Sequence, residues 1–272
     1  MSSNDLIQIF IADDQVKLQN YLLHRENVNQ SLRNLPYSFP LLMDSPPLIS
    51  IAAFFGAYNC FQYLFLSNAN ITALDKKERS IVHFACCGGN LDILDILDSL
   101  SADFTLVDFN NVGCLHYASQ FGHINVVQRL WQRNFPINEK DSLGMTPIHY
   151  SAMFDSIDVI DFFHSKGISL NPRSAGGTPF SIAVKNNCLK VVIYLLNLGV
   201  SPNQIIDDDP DENALFYAIR MNFEEIAIQL IKNSTNYDKS NSGGWTALHM
   251  AASLGRLTIC KELINNNANV NS

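Results

Sequence analysis

Four of the seven histidines, His83, His116, His149 and His249, together with the six cysteines, are the groups in this 272-residue chain with the widest chemical repertoire. A general base or a metal ligand is an imidazole placed beside one nucleophile or one ion, so it has no reason to recur along a chain. These four do recur, each two residues beyond a position that returns at intervals close to 33. Nucleophilic catalysis would need a Ser or Cys with a His and an acid outside that pattern, or a glycine-rich phosphate loop, and the sequence offers neither. Gly176 with Gly177 and Gly243 with Gly244 read as hairpin turns.

Cys86 and Cys87 are adjacent and no C-x-x-C pair occurs, which leaves zinc-ribbon and dithiol chemistry without support. Cys60, Cys86, Cys114, Cys188 and Cys260 fall where the repeat otherwise holds small or apolar residues. That placement predicts structural thiols and an intracellular, cytoplasmic compartment. The run IIDDDPDEN crowds Asp207, Asp208, Asp209, Asp211 and Glu212 around Pro210. It lacks the alternating ligands, central Gly and closing Glu of an EF-hand, so the expectation is an exposed acidic finger. The chain is therefore predicted to be no enzyme and to hold no cofactor and no metal.

The elements that carry these residues are best read in Asp141 to Asn171, DSLGMTPIHYSAMFDSIDVIDFFHSKGISLN. Thr146 and Pro147 suit the N-cap and first position of a helix, because a hydroxyl accepts a free amide hydrogen there and proline lacks only a hydrogen that would go unpaired. The helix should begin at Thr146. Ile148, Ser151 and Ala152 share one of its faces up to a turn at Asp155. A second helix should carry Val159, Ile160, Phe162 and Phe163, and Gly167 fits the left-handed position that ends it.

Aligned on Pro147, the pattern has anchors at Leu48, Ile81, Cys114, Pro147, Pro179, Ala214 and Ala247. Four residues on stand Ala52, Ala85, Ala118, Ser151, Ala183, Ala218 and Ala251, a column small enough for closely stacked helices. Eight on stand Gly56, Gly89, Gly122, Asp155, Asn187, Asn222 and Gly255, the residue types that best tolerate positive φ. Sixteen on, Leu64, Leu97, Leu130, Phe163, Leu195, Leu230 and Leu263 supply a core position to every second helix. With TPIH, GCLHYA and TALHMA at the anchors, the chain resembles the ankyrin-repeat family, whose signature is T-P-L-H-x-A at a period of 33. The resemblance implies an all-α fold, an α-solenoid of helix-turn-helix units with β-hairpin turns, whose repeats bury apolar faces only against each other. It divides the chain into seven repeats over 47–272 and a degenerate N-terminal capping unit with an insertion over 1–46. It also implies that the recurrent His hydrogen-bonds backbone across the turn, and that repeats with Ser50, Ser181 or Phe216 in its place lose that tie.

In the N-terminal unit, Leu6 to Ala12 and Val16 to Leu23 are predicted helices around Asp13 and Asp14, with Leu18, Leu22 and Leu23 facing the stack. Residues 27–46, with Pro36, Pro40 and Pro46 and the apolar Leu41, Leu42 and Met43, read as a non-helical insertion that lies over the neighbouring groove. Composition is 47% hydrophobic and 16% charged, enough for a continuous core, and the formal net charge of −8 argues against nucleic acid or an anionic membrane as partner. No apolar run has the length of a membrane span, and LIQIFIA lacks the basic start of a leader. Lys76, Lys77 and Arg79 form a local basic cluster, read as a solvated hairpin tip.

Function must come from positions the fold leaves free. The resemblance implies a partner in a concave groove, against the hairpin tips and the last residues of the first helices. There the chain places Phe54, Phe55, Phe121, Met153, Phe154, Met221 and Leu254, extended by the hairpin residues Phe109, Leu143 and Trp245. Apolar side chains where an idle scaffold would be polar predict a non-enzymatic scaffold or adaptor that holds a protein or peptide partner. Self-burial of Phe54 and Phe55 beneath residues 27–46 is the alternative for the first repeat. The other class of answer is a regulatory segment of a larger enzyme or channel, since the closing NNNANVN stands where a further hairpin would open.

Overall fold

Thr146 adopts extended backbone angles, φ −102° and ψ 168°, and the helix itself starts one residue later at Pro147. The same extended cap precedes the helices that begin at Ile81, Pro179 and Ala247, where Ser80, Thr178 and Thr246 supply the hydroxyl. The structure is a computed structural model and describes residues 3–23, 27–31, 39–207, 209–233 and 236–271. Pro36 of the insertion, Asp208 of the acidic run and Ser272 lie outside the described residues.

The chain forms two compact units, the first ending at Ser142 and the second beginning at Leu143. The first holds α1 (Ser3–Ile11), α2 (Gln15–Leu22), α3 (Leu48–Phe54), α4 (Tyr58–Leu66), α5 (Ile81–Gly88), α6 (Leu91–Ser99), α7 (Cys114–Gln120) and α8 (Ile124–Gln132). The second holds α9 (Pro147–Met153), α10 (Ile157–Ser165), α11 (Pro179–Lys185), α12 (Leu189–Asn197), α13 (Ala214–Arg220), α14 (Glu224–Lys232), α15 (Ala247–Ser253) and α16 (Leu257–Asn265). A short antiparallel hairpin, β1 (Ile205–Ile206) with β2 (Asp209–Asn213), precedes α13. The architecture is an all-α repeat solenoid of helix-turn-helix units.

Within each unit first helices pack on first helices, α3 on α5 and α5 on α7, then α9 on α11, α11 on α13 and α13 on α15. The small column lies in these contacts, and every member from Ala52 to Ala251 is at most 1% exposed. The Leu and Phe column fills the second-helix core, with Phe163, Leu195, Leu230 and Leu263 all at 0% exposure. All seven turn residues take positive φ, between 56° at Asn187 and 71° at Gly89. Gly167 joins them at φ 76°, as its place after α10 predicts.

The N-terminal unit follows the same plan, with Asp13 at φ 50° as its turn residue. Leu18 and Leu22 are buried as expected, but Leu23 is 69% exposed, because it caps α2 one residue beyond the face that packs. Asp13 also reaches the next repeat, where its carboxylate accepts from Asn59 N at 3.0 Å and Cys60 N at 2.8 Å and so satisfies the start of α4. In the last repeat Ile259 and Leu263 are fully buried, while Ile264 is half exposed.

Arg79 corrects the sequence reading of a solvated tip. Its side chain is buried and donates from Nε to Asp75 Oδ2 at 2.7 Å, and from Nη2 to Leu41 O at 2.7 Å and Asp44 Oδ2 at 3.0 Å. A guanidinium with carboxylates and a carbonyl around it can remain charged out of water. The insertion is thereby fastened to the second repeat, with Leu42 at 0% exposure beneath it.

Candidate functional site

Each recurrent histidine closes the base of a repeat. The amides of Ser80, Gly113, Thr146 and Thr246 donate to Nδ1 of His83, His116, His149 and His249 at 3.0, 3.2, 2.9 and 3.3 Å. A ring nitrogen that accepts an amide hydrogen carries none, so the neutral ring holds its proton on Nε2. From there His83, His116 and His149 donate to the carbonyls of Leu106, Glu139 and Pro172 at 2.9, 3.1 and 3.1 Å. Burial lowers the pKa of His83 and so keeps the neutral form that this geometry requires. The rings hold backbone, and Nδ1 of His83, His149 and His249 also meets the capping hydroxyl of Ser80, Thr146 and Thr246 at 3.0, 2.9 and 2.9 Å.

Where Ser181 replaces the ring, its hydroxyl accepts from Thr178 N at 2.8 Å but is too short to cross the turn. Gln204 returns from the next hairpin instead and accepts from the Thr178 hydroxyl, so the expected loss of the tie is partial. A polar cavity of about 330 Å³ opens beside it, lined by Asn171, Ser174, Thr178, Ser181 and Gln204 among others. Ser50 loses the tie outright, its hydroxyl buried with no hydrogen-bond partner among the described residues. Phe216 fills its position with a buried ring.

In the first unit the expected partner-facing residues separate into two groups. Phe54 and Phe55 are half-buried, because Phe39 of the insertion covers them with ring centroids 6.3 and 5.2 Å away at interplanar angles of 83°. This contact is the one expected from the self-burial alternative, and it leaves both rings partly exposed. Phe54 continues the cluster edge-on to Phe121, 5.7 Å away at 90°, and Phe121 stays 38% exposed. His123 stacks under Phe121 at 7° and donates from Nε2 to Cys87 O at 2.7 Å. Phe109 stands apart on its hairpin tip, two-thirds exposed, with Lys77 Nζ 5.9 Å above its ring.

In the second unit Met153, at the end of α9, is half-buried, whereas Phe154 beside it is 49% exposed. Leu143, Met221, Trp245 and Leu254 are also exposed. The described part of the acidic run is more tied down than a free finger, with Asp209, Asp211 and Glu212 on β2: Lys185 Nζ meets Asp207 at 2.5 Å, Arg220 holds Glu212 at 2.9 Å, and Ser242 N donates to Asp211 at 2.8 Å. No cluster of three or more His, Cys, Asp or Glu suited to a metal ion occurs among the described residues.

A family model described as ankyrin repeats in three copies matches residues 49–141, 115–206 and 203–272. The chain belongs to the ankyrin-repeat family. Alpha-latroinsectotoxin-Lt1a and alpha-latrocrustotoxin-Lt1a of Latrodectus tredecimguttatus are similar to it, 33% and 32% identical over 96 residues. Those residues are 35% of this chain and 7% of each relative, so the chain spans a small part of the length of the curated proteins it matches. Ankyrin repeats generally mediate protein–protein interaction and the family is typically non-enzymatic. No helix among the described residues is long and apolar enough to cross a membrane.

Two features of these ankyrin repeats escape a column reading. Asp75, Asp108 and Asn241 each close a hairpin by accepting two backbone amides on one Oδ1, at 2.8 to 2.9 Å for Asp108. Gly88, beside the turn glycine, lets α5 approach α3 so closely that a Cβ would stand 2.0 Å from Ala53 O. The hairpin residues recur six positions before their anchors and were open to the same alignment. Gly88 belongs to one repeat, and nothing in its spacing marks it.

Proposed function

We propose that the chain is a cytoplasmic, non-enzymatic scaffold or adaptor that holds a protein or peptide partner along the ends of its first helices and its hairpin tips. The carrying observation is the exposure of large apolar side chains at register positions that core packing does not use. Phe121 and Phe154 end α7 and α9, Met221 and Leu254 end α13 and α15, and Phe109, Leu143 and Trp245 sit on the hairpins, all more than a third exposed. Central aromatic residues of this kind dominate binding energy in protein interfaces. Five of the six cysteines are buried thiols, which supports an intracellular setting. The test compares capture from lysate by the wild-type chain with capture by Phe121→Ala/Phe154→Ala at matched stability. Retention of every wild-type partner by the double variant overturns the reading.

A second reading, an ankyrin segment that regulates an enzyme or channel within the same polypeptide, draws on the relatives, whose matched segment is 7% of their length. A transcript that continues in frame into a further domain would favour it, and one that stops would remove it.

A further inference from the structure

The aromatic cluster of the first unit already has an occupant. We infer that Phe39 is an internal stand-in for a partner's aromatic side chain, so that the Phe54, Phe55 and Phe121 site receives an aromatic residue from a peptide that displaces Phe39. This rests on the reading of that face as a partner site.

The insertion is held in two different ways. From Leu41 to Asp44 it is fixed, since Arg79 donates to Leu41 O and Asp44 Oδ2, Lys76 N donates to Asp44 O at 3.0 Å, and Leu42 is fully buried. Phe39 lies on the other side of Pro40 at φ −125° and ψ 77°, and its carbonyl accepts from Leu42 N at 2.9 Å. Its ring meets Phe54 and Phe55 edge-on, and both of those rings remain half exposed. An edge-on aromatic contact changes a population ratio by up to about tenfold beyond the burial of the ring, so the two contacts give the seated position of Phe39 a finite preference that a competing aromatic residue can match.

The cluster has an open end at which the exchange can begin. Phe55, Phe54 and Phe121 form a chain of rings at successive centroid distances of 5.1 and 5.7 Å, each near perpendicular to the next. Phe39 covers one end of that chain, and Phe121 at the other end is open. An incoming peptide can therefore engage Phe121 first and replace Phe39 afterwards. The fixed Leu41–Asp44 segment stays seated, so Phe39 needs to turn only about its own χ1 and the ψ before Pro40.

The probe is a fluorescein-labelled Gly-Ser-Phe-Pro-Gly-Ser peptide, which carries the aromatic residue without the Leu41–Asp44 anchor, titrated to millimolar concentration into the full chain. The chain with Phe39→Ala and Asp44→Ala, confirmed as folded by circular dichroism, should bind it at least about tenfold tighter than wild type. Adding Phe54→Ala should remove that gain. Equal binding by wild type and the double variant, or a gain that survives Phe54→Ala, would overturn the inference. If loss of Asp44 unfolds the chain, Phe39→Ala alone carries the same comparison. A peptide gain together with partner capture that ignores Phe121 and Phe154 would leave the inference standing and sink the scaffold reading instead.

Discussion

Nε2 of His149 lies 3.1 Å from the carbonyl oxygen of Pro172, 23 residues further along. One neutral ring thus ties the start of a first helix to the base of the following hairpin. His149→Ala or His116→Ala should lower the unfolding free energy by about 1–2 kcal/mol through lost hydrogen bonds. Partner capture at a temperature where the variant is folded should not change. Loss of binding or of any enzymatic activity, with the melting temperature unmoved, would contradict the structural role.

Burial lowers the pKa of both His83 and His123 below the ordinary value of 6.5. Below pH 6.5 the unfolded chain binds protons that the folded chain refuses, so stability rises with pH through that window and is lost as pH falls. Urea midpoints should therefore be lower at pH 5 than at pH 7, with a shallower slope in His123→Gln. An unchanged slope in that variant would mean that His123 does not contribute.

Arg79→Ala leaves the Asp75 carboxylate buried without its ion-pair partner and should cost about 3–5 kcal/mol. Asp44 is partly exposed and its loss leaves the Arg79–Asp75 pair intact, so Asp44→Ala should cost no more than about 1 kcal/mol. Equal costs in chemical denaturation would show that Arg79 acts through Asp44 and not through the buried Asp75.

Gly88→Ala places a methyl 2.0 Å from Ala53 O, and the three nearest atoms are all backbone, so α3 and α5 must separate. Gly167→Ala meets nothing within 4 Å and adds only the strain of φ 76°, about 1–2 kcal/mol. Gly88→Ala should therefore be the more damaging by thermal melting. The reverse order would show that the two helices can slide apart cheaply.

The repeat columns were legible because each has one physical demand that recurs: a small side chain between stacked helices at Ala118, positive φ at Asp155, bulk at Phe163. Arg79 was not, because its partner Asp44 lies 35 residues earlier in an irregular segment with no period to follow. The same segment offered a cover for Phe54 and Phe55 as an alternative, but nothing in its spacing singled out Phe39 as the residue that supplies it. Phe121 and Phe154 were legible as surface because they fall past the last core position of a first helix, where no neighbouring column requires bulk.

Those two residues carry the last prediction. Phe121 is 38% and Phe154 49% exposed. Phe121 loses its contacts with Phe54 and His123 on truncation, and a modest cost of about 1 kcal/mol is expected there. Phe154→Ala should cost less, since half of its ring already meets water. Binding is different, because a central aromatic anchor commonly contributes on the order of 2 kcal/mol or more when a partner seals it from solvent. The double variant should therefore weaken partner capture at least about thirtyfold, by the conversion of about 1.4 kcal/mol per tenfold, while denaturant midpoints move little. Full capture by the double variant would move the site to the Lys76–Lys77 tip or to the β1–β2 hairpin. A variant that unfolds would show that these rings support the fold, and the two positions would lose their claim to bind a partner.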